Sequence, residues 1–306
     1  MTQADAARLI FEKKHSRLAF VDECYRWSMV QLLRRQSNKH IAEQRKQLAV
    51  FSFDFIAHNI NLNGVYEKDD LDTFFEWLRS TGVDLKEATA IDIGANIGNH
   101  SLYFSDYFKQ VVSFEPHPRI FKILSLNAEL TDNMTCYNVG LSDREGTAIL
   151  SGPANNFGRS TIGEWRDARS VDIKLVTLDS FSELENVKLL KIDVEGHEHK
   201  VLSGAKTFIR KHKPIILFEQ HIDDFENGES KILSLLKELG YKDFATVRRY
   251  PLPLPSVLKF VVTPLSRLVL GEQTKIVLTS TIAPDFYSFI IALPDWVQKN
   301  GVMAPH

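Results

Sequence analysis

The 306-residue chain is 44% hydrophobic and 25% charged, a globular composition with room for one large core or one and a half domains. A formal charge of −2 gives no bulk basic field, so no nucleic-acid partner is expected. Cys24 and Cys136 are too few and too far apart for a disulfide framework or a zinc site. They suit a reducing, cytoplasmic setting.

The N-terminus, MTQADAARLIFEKKH, lacks the apolar run of a signal peptide, and no transmembrane span is expected anywhere. Leu9, Ile10, Leu18, Val21, Tyr25, Met29, Leu32 and Leu33 recur at helical spacing and predict a helical stretch to about residue 48. It would be the bulk of an N-terminal extension, residues 1–60. Arg34, Arg35, Lys39, Arg45 and Lys46 read as its solvated face. Such an appendage suits a homo-oligomer contact. Val50 to Ile60 reads as extended. Asn63-Gly-Val-Tyr66-Glu67 then precedes a helix over Leu71 to Arg79, and places Glu67 on a loop able to reach over a site.

From Ala88 strands and helices alternate. Strands are predicted at Ile91–Ile93, Val111–Phe114 and Met134–Val139, with helices around Leu102–Phe108 and Ile120–Leu130. Further strands follow at Val171–Leu175, Leu189–Ile192, Pro214–Phe218, Tyr241–Val247 and Phe286–Leu293, with helices at His199–Lys211 and Ser230–Leu239. This alternation defines an α/β protein with a mostly parallel, doubly wound sheet, its ligands at the carboxyl ends of the strands. The core would occupy residues 61–250. Residues 251–306 would complete the sheet and supply a lid or an oligomer contact. The polar stretch Ser151 to Arg169 is a long loop of the functional kind. Val257 to Leu270 is apolar but broken by Lys259, Pro264 and Arg267, and reads as core packing, dimer contact, lid or interfacial helix.

The chemistry lies in Asp92-Ile-Gly94-Ala-Asn96-Ile-Gly98, a strand running through a glycine turn into a helix opened by Asn99 and His100. The glycines permit a tight bend, and the helix start offers free N–H groups. Asp92, Glu115, Asp143, Asp193 and Glu219 recur at strand ends, which share one edge of a parallel sheet. Glu115, followed by Pro116, offers two oxygens to a ribose diol, and Ser142 with Asp143 could face an adenine edge. A nicotinamide dinucleotide needs a G-x-G-x-x-G turn for its pyrophosphate. Here three residues separate the glycines, and Asp92 would repel phosphate. S-adenosyl-L-methionine has no phosphate, and its ammonium would be drawn to Asp92. Asp193, Glu195 and His197 follow one strand end and are the candidate catalytic bases.

Asp92-Ile-Gly94-Ala-Asn96-Ile-Gly98, Phe114-Glu115-Pro116, Leu190-Lys191-Ile-Asp193-Val-Glu195-Gly196 and Phe218-Glu219 together resemble the FkbM-type S-adenosylmethionine-dependent methyltransferases. Gly64-Val-Tyr66-Glu67, Asn127 and Asn156-Phe-Gly158-Arg-Ser160-Thr161 are also similar to that family, and the resemblance spans roughly Asn63 to Val247. It implies a seven-stranded Rossmann-like sheet with an antiparallel last hairpin, and methyl transfer to a hydroxyl of a sugar, glycan or natural product. By carry-over, Asp92, Gly94, Asn96 and Gly98 hold the methionine part, Glu115 the ribose and Asp143 the adenine. Asp193 and Glu195 lie beside the methyl group. No metal ligand is assigned; a divalent ion on Asp193 and a second acid is open but not expected. A lipid-linked acceptor would suit the apolar 257–270 stretch. The rival readings are a nicotinamide-dependent oxidoreductase and a non-catalytic binding module.

Overall fold

The computed structural model describes residues 19–151, 161–163, 170–222, 225–226, 229–251, 272–279 and 282–298. The polar segments 152–160 and 164–169 and the apolar 257–270 stretch lie outside the described residues, as do 1–18. The chain forms two compact units, Met1–Arg45 and Lys46–His306. In the first, α1 (Ala19–Ala42) exposes Phe20, Tyr25, Trp27 and Val30.

The second unit begins with α2 (Phe55–Asn63) and α3 (Lys68–Ser80). The extended structure expected up to Ile60 is therefore replaced by helix from Phe55. Asp54 caps that helix by accepting the Ile56 N–H at 3.3 Å, and Gly64 closes it at φ +81°. These end signals outweigh the weak strand pattern.

β1 (Thr89–Ile93), α4 (Asn99–Phe104), β2 (Gln110–Phe114), α5 (Pro118–Ala128) and β3 (Met134–Tyr137) follow the predicted alternation. Then β4 (Gly140–Leu141), β5 (Gly146–Ser151), β6 (Thr161–Gly163) and β7 (Val171–Val176) build a separate four-stranded sheet, β4-β7-β5-β6. After β8 (Val187–Ile192), the single helix expected over 199–211 is split into α6 (Glu198–Ser203) and α7 (Lys206–His212). Gly204 lies at the break, where a Cβ would stand 1.9 Å from the Ser142 carbonyl oxygen. β9 (Ile215–Gln220), the short ladder β10 (Phe225–Glu226) and β11 (Glu229–Ser230), α8 (Lys231–Glu238), β12 (Asp243–Pro251), β13 (Glu272–Thr279), β14 (Tyr287–Leu293) and α9 (Asp295–Gln298) complete the unit.

The main sheet runs β13-β12-β14-β9-β8-β1-β2-β3. β3, β2, β1, β8 and β9 are mutually parallel, and β14 is antiparallel to both β9 and β12. The chain winds outward from β1 to one side and then from β8 to the other, so strand order reverses between β1 and β8. That crevice is where such sheets hold ligands. One feature departs from the seven strands expected: β13 is an eighth, paired with β12 over eight residues from Phe244↔Thr279 to Pro251↔Glu272. It covers the edge that a nine-residue β12 would otherwise expose.

Strand alternation sorts the side chains. Ile91, Val112, Leu190 and Ile216 pack under α6, α7 and α8. Ala90, Val111, Leu189, Leu217 and Ala245 pack under α3 and α4. By the same period of two, Asp92, Lys191, Asp193, Glu219 and His221 belong to the α3/α4 side.

Candidate active site

A cleft opens at the carboxyl ends of β1, β2 and β8. Its apolar walls include Ile93, Phe114, Ile120, Val139, Leu141 and Ile162, and its functional groups are Gly94, Asn96, Glu115, Pro116, Asp193, Glu195 and His197. Seven of the residues singled out in the sequence thus share one cavity.

Gly94 has φ +78°, and a Cβ there would stand 1.8 Å from the Asp193 carbonyl oxygen. Glycine is needed because the turn after β1 presses against the end of β8. Gly98, at φ +90°, would bring a Cβ to 2.8 Å from the Leu124 side-chain methyl Cδ1, a softer contact, and does not line the cleft. Asn96 lies at φ +50° and donates its backbone N–H to Glu115 Oε2 at 3.0 Å. His117 donates its N–H to Oε1 at 2.8 Å. Both oxygens are thereby fixed, and each retains a lone pair. Burial pushes the Glu115 carboxyl up to about 7 against the pull of these two bonds.

At the far wall, His197 Nε2 lies 2.9 Å from Ser142 Oγ, which also donates to Asp143 Oδ1 at 3.1 Å. Burial pushes His197 down to about 4, so the ring is neutral near pH 7. Asp143 itself is exposed.

Asp92 is fully buried and does not line the cleft. It accepts from Ser101 Oγ at 2.6 Å and stands 3.2 Å from Lys191 Nζ. Lys191, also buried, reaches Asp193 Oδ2 at 3.2 Å. One ammonium therefore links a sealed carboxylate to one that opens into the cleft. Burial lowers the Lys191 pKa, but Asp193 and Asp92 outweigh it and hold the ammonium above its ordinary range. Burial raises Asp193, but Lys191 and His100 outweigh it and keep the carboxyl below the ordinary range.

The turn after β8 is pinned by Glu198, which accepts the N–H groups of Val194 at 3.1 Å and Gly196 at 3.2 Å. Glu219 hydrogen-bonds Asp193 and is pushed up to about 8 by burial and then by Asp193, Glu195, Glu198 and Glu67. The shared proton therefore sits on Glu219. His221 Nε2 is 3.5 Å from Glu219 Oε2. Ligand atoms of Glu195, Glu219 and His221 fall within 4.8 Å of one another, a spacing able to hold a divalent cation.

Around Asp193, Glu67 Oε2 lies 3.1 Å from His100 Nε2. Asn99 accepts the Tyr66 N–H at 2.9 Å and donates to the Tyr66 carbonyl at 3.1 Å, fixing the Tyr66-Glu67 segment. Asn127 similarly pins residue 49 to the glycine turn, donating to Ala49 O and Ile97 O. A second pocket, about 410 Å³, lies beyond Tyr66 and Glu67, with Val247 and Ser288 in its lining. The roles of Lys191, Glu219, His221 and Tyr66 went unassigned in the sequence. Reading back in twos from Asp193 to Lys191, and on from Leu217 to Glu219 and His221, would have placed three of them on one face.

A doubly wound sheet with its cleft at the strand-order reversal, and a braced acid after the second strand, defines a Rossmann-like α/β protein. Residues 92–242 match the methyltransferase FkbM domain. Methyltransferase sdnD of Sordaria araneosa is 34% identical over 153 residues, covering 38% of this chain and 59% of its own length. Hexuronic acid methyltransferase AglP of Haloferax volcanii is 29% identical over 150 residues, covering 48% and 61%. 2-O-methyltransferase NoeI of Sinorhizobium fredii is 25% identical over 183 residues, covering 53% and 74%. The chain thus spans about three-fifths of the first two relatives. Among solved structures, methyltransferase FkbM from Methylobacillus flagellatus is 19% identical with a TM-score of 0.33, covering 62% of this chain and 48% of that one.

Proposed function

We propose that the chain is an active S-adenosylmethionine-dependent O-methyltransferase acting on a hydroxyl of a sugar, glycan or natural-product acceptor. The observation that carries this reading is Glu115. Its two oxygens are braced by backbone N–H groups at the end of β2, inside a cleft that continues to Asp193. A carboxylate so held suits the two hydroxyls of a ribose, and the apolar walls beside it suit a purine. The printed names of AglP and NoeI, a hexuronic acid methyltransferase and a 2-O-methyltransferase, support a carbohydrate hydroxyl.

The cofactor supplies an electrophilic methyl carbon on a cationic sulfur. Glu115 would hold its ribose. Ser142, Asp143 and His197 would border its adenine, and Gly94, Asn96 and Asp193 its methionyl end. Gly98, Asn99, His100 and Glu67 shape that end from behind. Asp92 acts through Lys191 and does not meet the ligand. Asp193 is the base that takes the acceptor hydroxyl proton, and its ionised state near pH 7 is secured by Lys191. Glu195 adds negative charge at the same rim, favourable to a sulfonium. His197, engaged by Ser142, is a positioning group. The reading includes no divalent metal, because Lys191 already supplies positive charge beside Asp193.

Among the described residues no helix is long and apolar enough to cross a membrane. Free Cys24 and Cys136 are consistent with a cytoplasmic setting. The exposed apolar side chains of α1 support self-association. Calorimetric titration with the cofactor, followed by labelled methyl transfer into sugar-containing fractions, tests the activity. Absence of cofactor binding, or label confined to protein, defeats it.

A further inference from the structure

Of the groups placed around the cofactor above, the second pocket shares only Glu67. It lies at the carboxyl edge of the sheet, against Val247 of β12 and Ser288 of β14, with α2 and the start of α3 as walls. Tyr66 and Glu67 stand between it and the reacting acids. The Tyr66 hydroxyl bonds to Glu67 and feels the charges of Asp193 and Glu219, and Glu67 in turn pairs with His100. Asp193 lines the cleft, and Tyr66 and Glu67 line the pocket and join it to that acid, so a donor in one and an acceptor in the other would approach the same group.

We propose that this pocket is the acceptor subsite and that it takes a sugar unit bearing no carboxylate. The proposal rests on the methyltransferase reading and adds the seat and charge class of the acceptor. The volume, about 410 Å³, falls within the range of small-molecule sites. Phe55, Asn59 and Asn63 are spaced four residues apart, so one stripe of α2 presents a ring and two amides to the pocket. An amide offers a donor and an acceptor side by side, which matches neighbouring hydroxyls. The Phe55 ring, edge-on to Tyr66 at 6.2 Å, offers an apolar surface to the C–H face of a pyranose. Glu67 and Asp69 line the same space, and the one cation among its described lining residues, Lys68, has its ammonium paired with Asp72. A hexuronate would bring like charge into that lining, whereas a neutral or amine-bearing sugar would not. The acceptor class thus differs from the one named for AglP.

Saturation-transfer NMR on the full chain with a neutral methyl hexoside, a methyl hexosaminide and a methyl hexuronide tests this. The neutral and amino sugars are expected to bind at least tenfold more tightly than the hexuronide. Asn59→Ala with Asn63→Ala should weaken them at least tenfold while the cofactor Kd, read by calorimetry, stays within twofold. Phe55→Ala is a separate variant should the pair disturb α2. Asp69→Lys should narrow the gap to the hexuronide. Hexuronide binding as tight as the neutral sugar, no binding of any sugar, or sugar binding intact in a folded double variant overturns the proposal. Sugar binding lost in the variant without cofactor binding to the wild type would uphold the pocket and sink the methyltransferase reading instead.

Discussion

The turns after β1 and β8 look alike in sequence. Each has an aspartate at the strand end and a glycine in the left-handed region close behind: Asp92 with Gly94 at φ +78°, and Asp193 with Gly196 at φ +89°. Their environments are opposite. Asp92 is sealed between Ser101 and Lys191, and Gly94 is pressed against the β8 turn. The Asp193 side chain is 38% exposed in the cleft, and a Cβ on Gly196 would meet nothing within 4 Å. A strand-end acid can therefore be an anchor or a working group, and the neighbour across the ladder decides which. Here that neighbour is Lys191, in register with Asp92 and two residues from Asp193.

Glycine replacement breaks the comparison most severely. Gly94→Ala forces a Cβ to 1.8 Å from backbone, and neither turn can yield without moving β1 or β8. It should leave little soluble folded protein. Gly196→Ala meets only the left-handed backbone penalty, about 1–2 kcal/mol, and should stay folded with a modestly lower Tm. Thermal melts of both variants check this, and equal losses would erase the distinction.

Next come the aspartates. Asp92→Ala leaves the buried Lys191 ammonium only Asp193 as counter-charge and Ser101 Oγ without its acceptor, and should cost about 3 kcal/mol of stability in chemical denaturation. Asp193→Asn should leave a folded protein with kcat lowered about 10²–10⁴-fold, the range of a lost general base. If Asp92→Ala is stable, or Asp193→Asn keeps full kcat, the assignment of anchor and base is wrong. A smaller effect is expected at Glu115. Glu115→Gln exchanges one oxygen for a donor facing a backbone N–H, and loses about 1.5–3 kcal/mol of charged hydrogen bonding to the cofactor. Calorimetry should show cofactor Kd rising by a factor of ten to a hundred, with Tm changed far less than by Asp92→Ala.

What the sequence disclosed follows local rules. The run from β1 to β3 was legible because apolar strands alternate with amphipathic helices, and Glu115 because a strand end there is marked by Pro116. α2 was hidden because its signals are the caps Asp54 and Gly64, not its periodicity. The four-stranded side sheet was hidden because β4 and β6 are two and three residues long. The fate of Asp92 was illegible for a different reason. Its partner Lys191 lies on another strand, and only ladder register brings the two together. The second pocket is less legible still, since it exists only once α2 meets β12 and β14.

The pH dependence of stability sharpens the picture of the β8 turn, and its sign follows from the shifted groups. Glu115 and Glu198 are pushed up to about 7 and Glu219 to about 8, in each case by burial first. Between the ordinary carboxylate range and those values the folded chain holds protons that the unfolded chain has released, so these groups favour folding less as pH rises. His197, pushed down to about 4 by burial, acts oppositely, but only below the ordinary histidine pKa near 6.5. Above pH 6.5 the carboxyls are left unopposed by it, and Tm should fall from pH 6.5 to 8.5. Glu219→Gln removes a group that must ionise beside Asp193, Glu195, Glu198 and Glu67. Its Tm relative to the wild type should therefore climb across that interval, with little difference near pH 5. Calorimetric melts at pH 5, 6.5, 7.5 and 8.5 read both trends. A wild-type Tm that rises above pH 6.5, or a variant that tracks it in parallel, would mean the Glu219 proton is not held by the crowd of acids around Asp193.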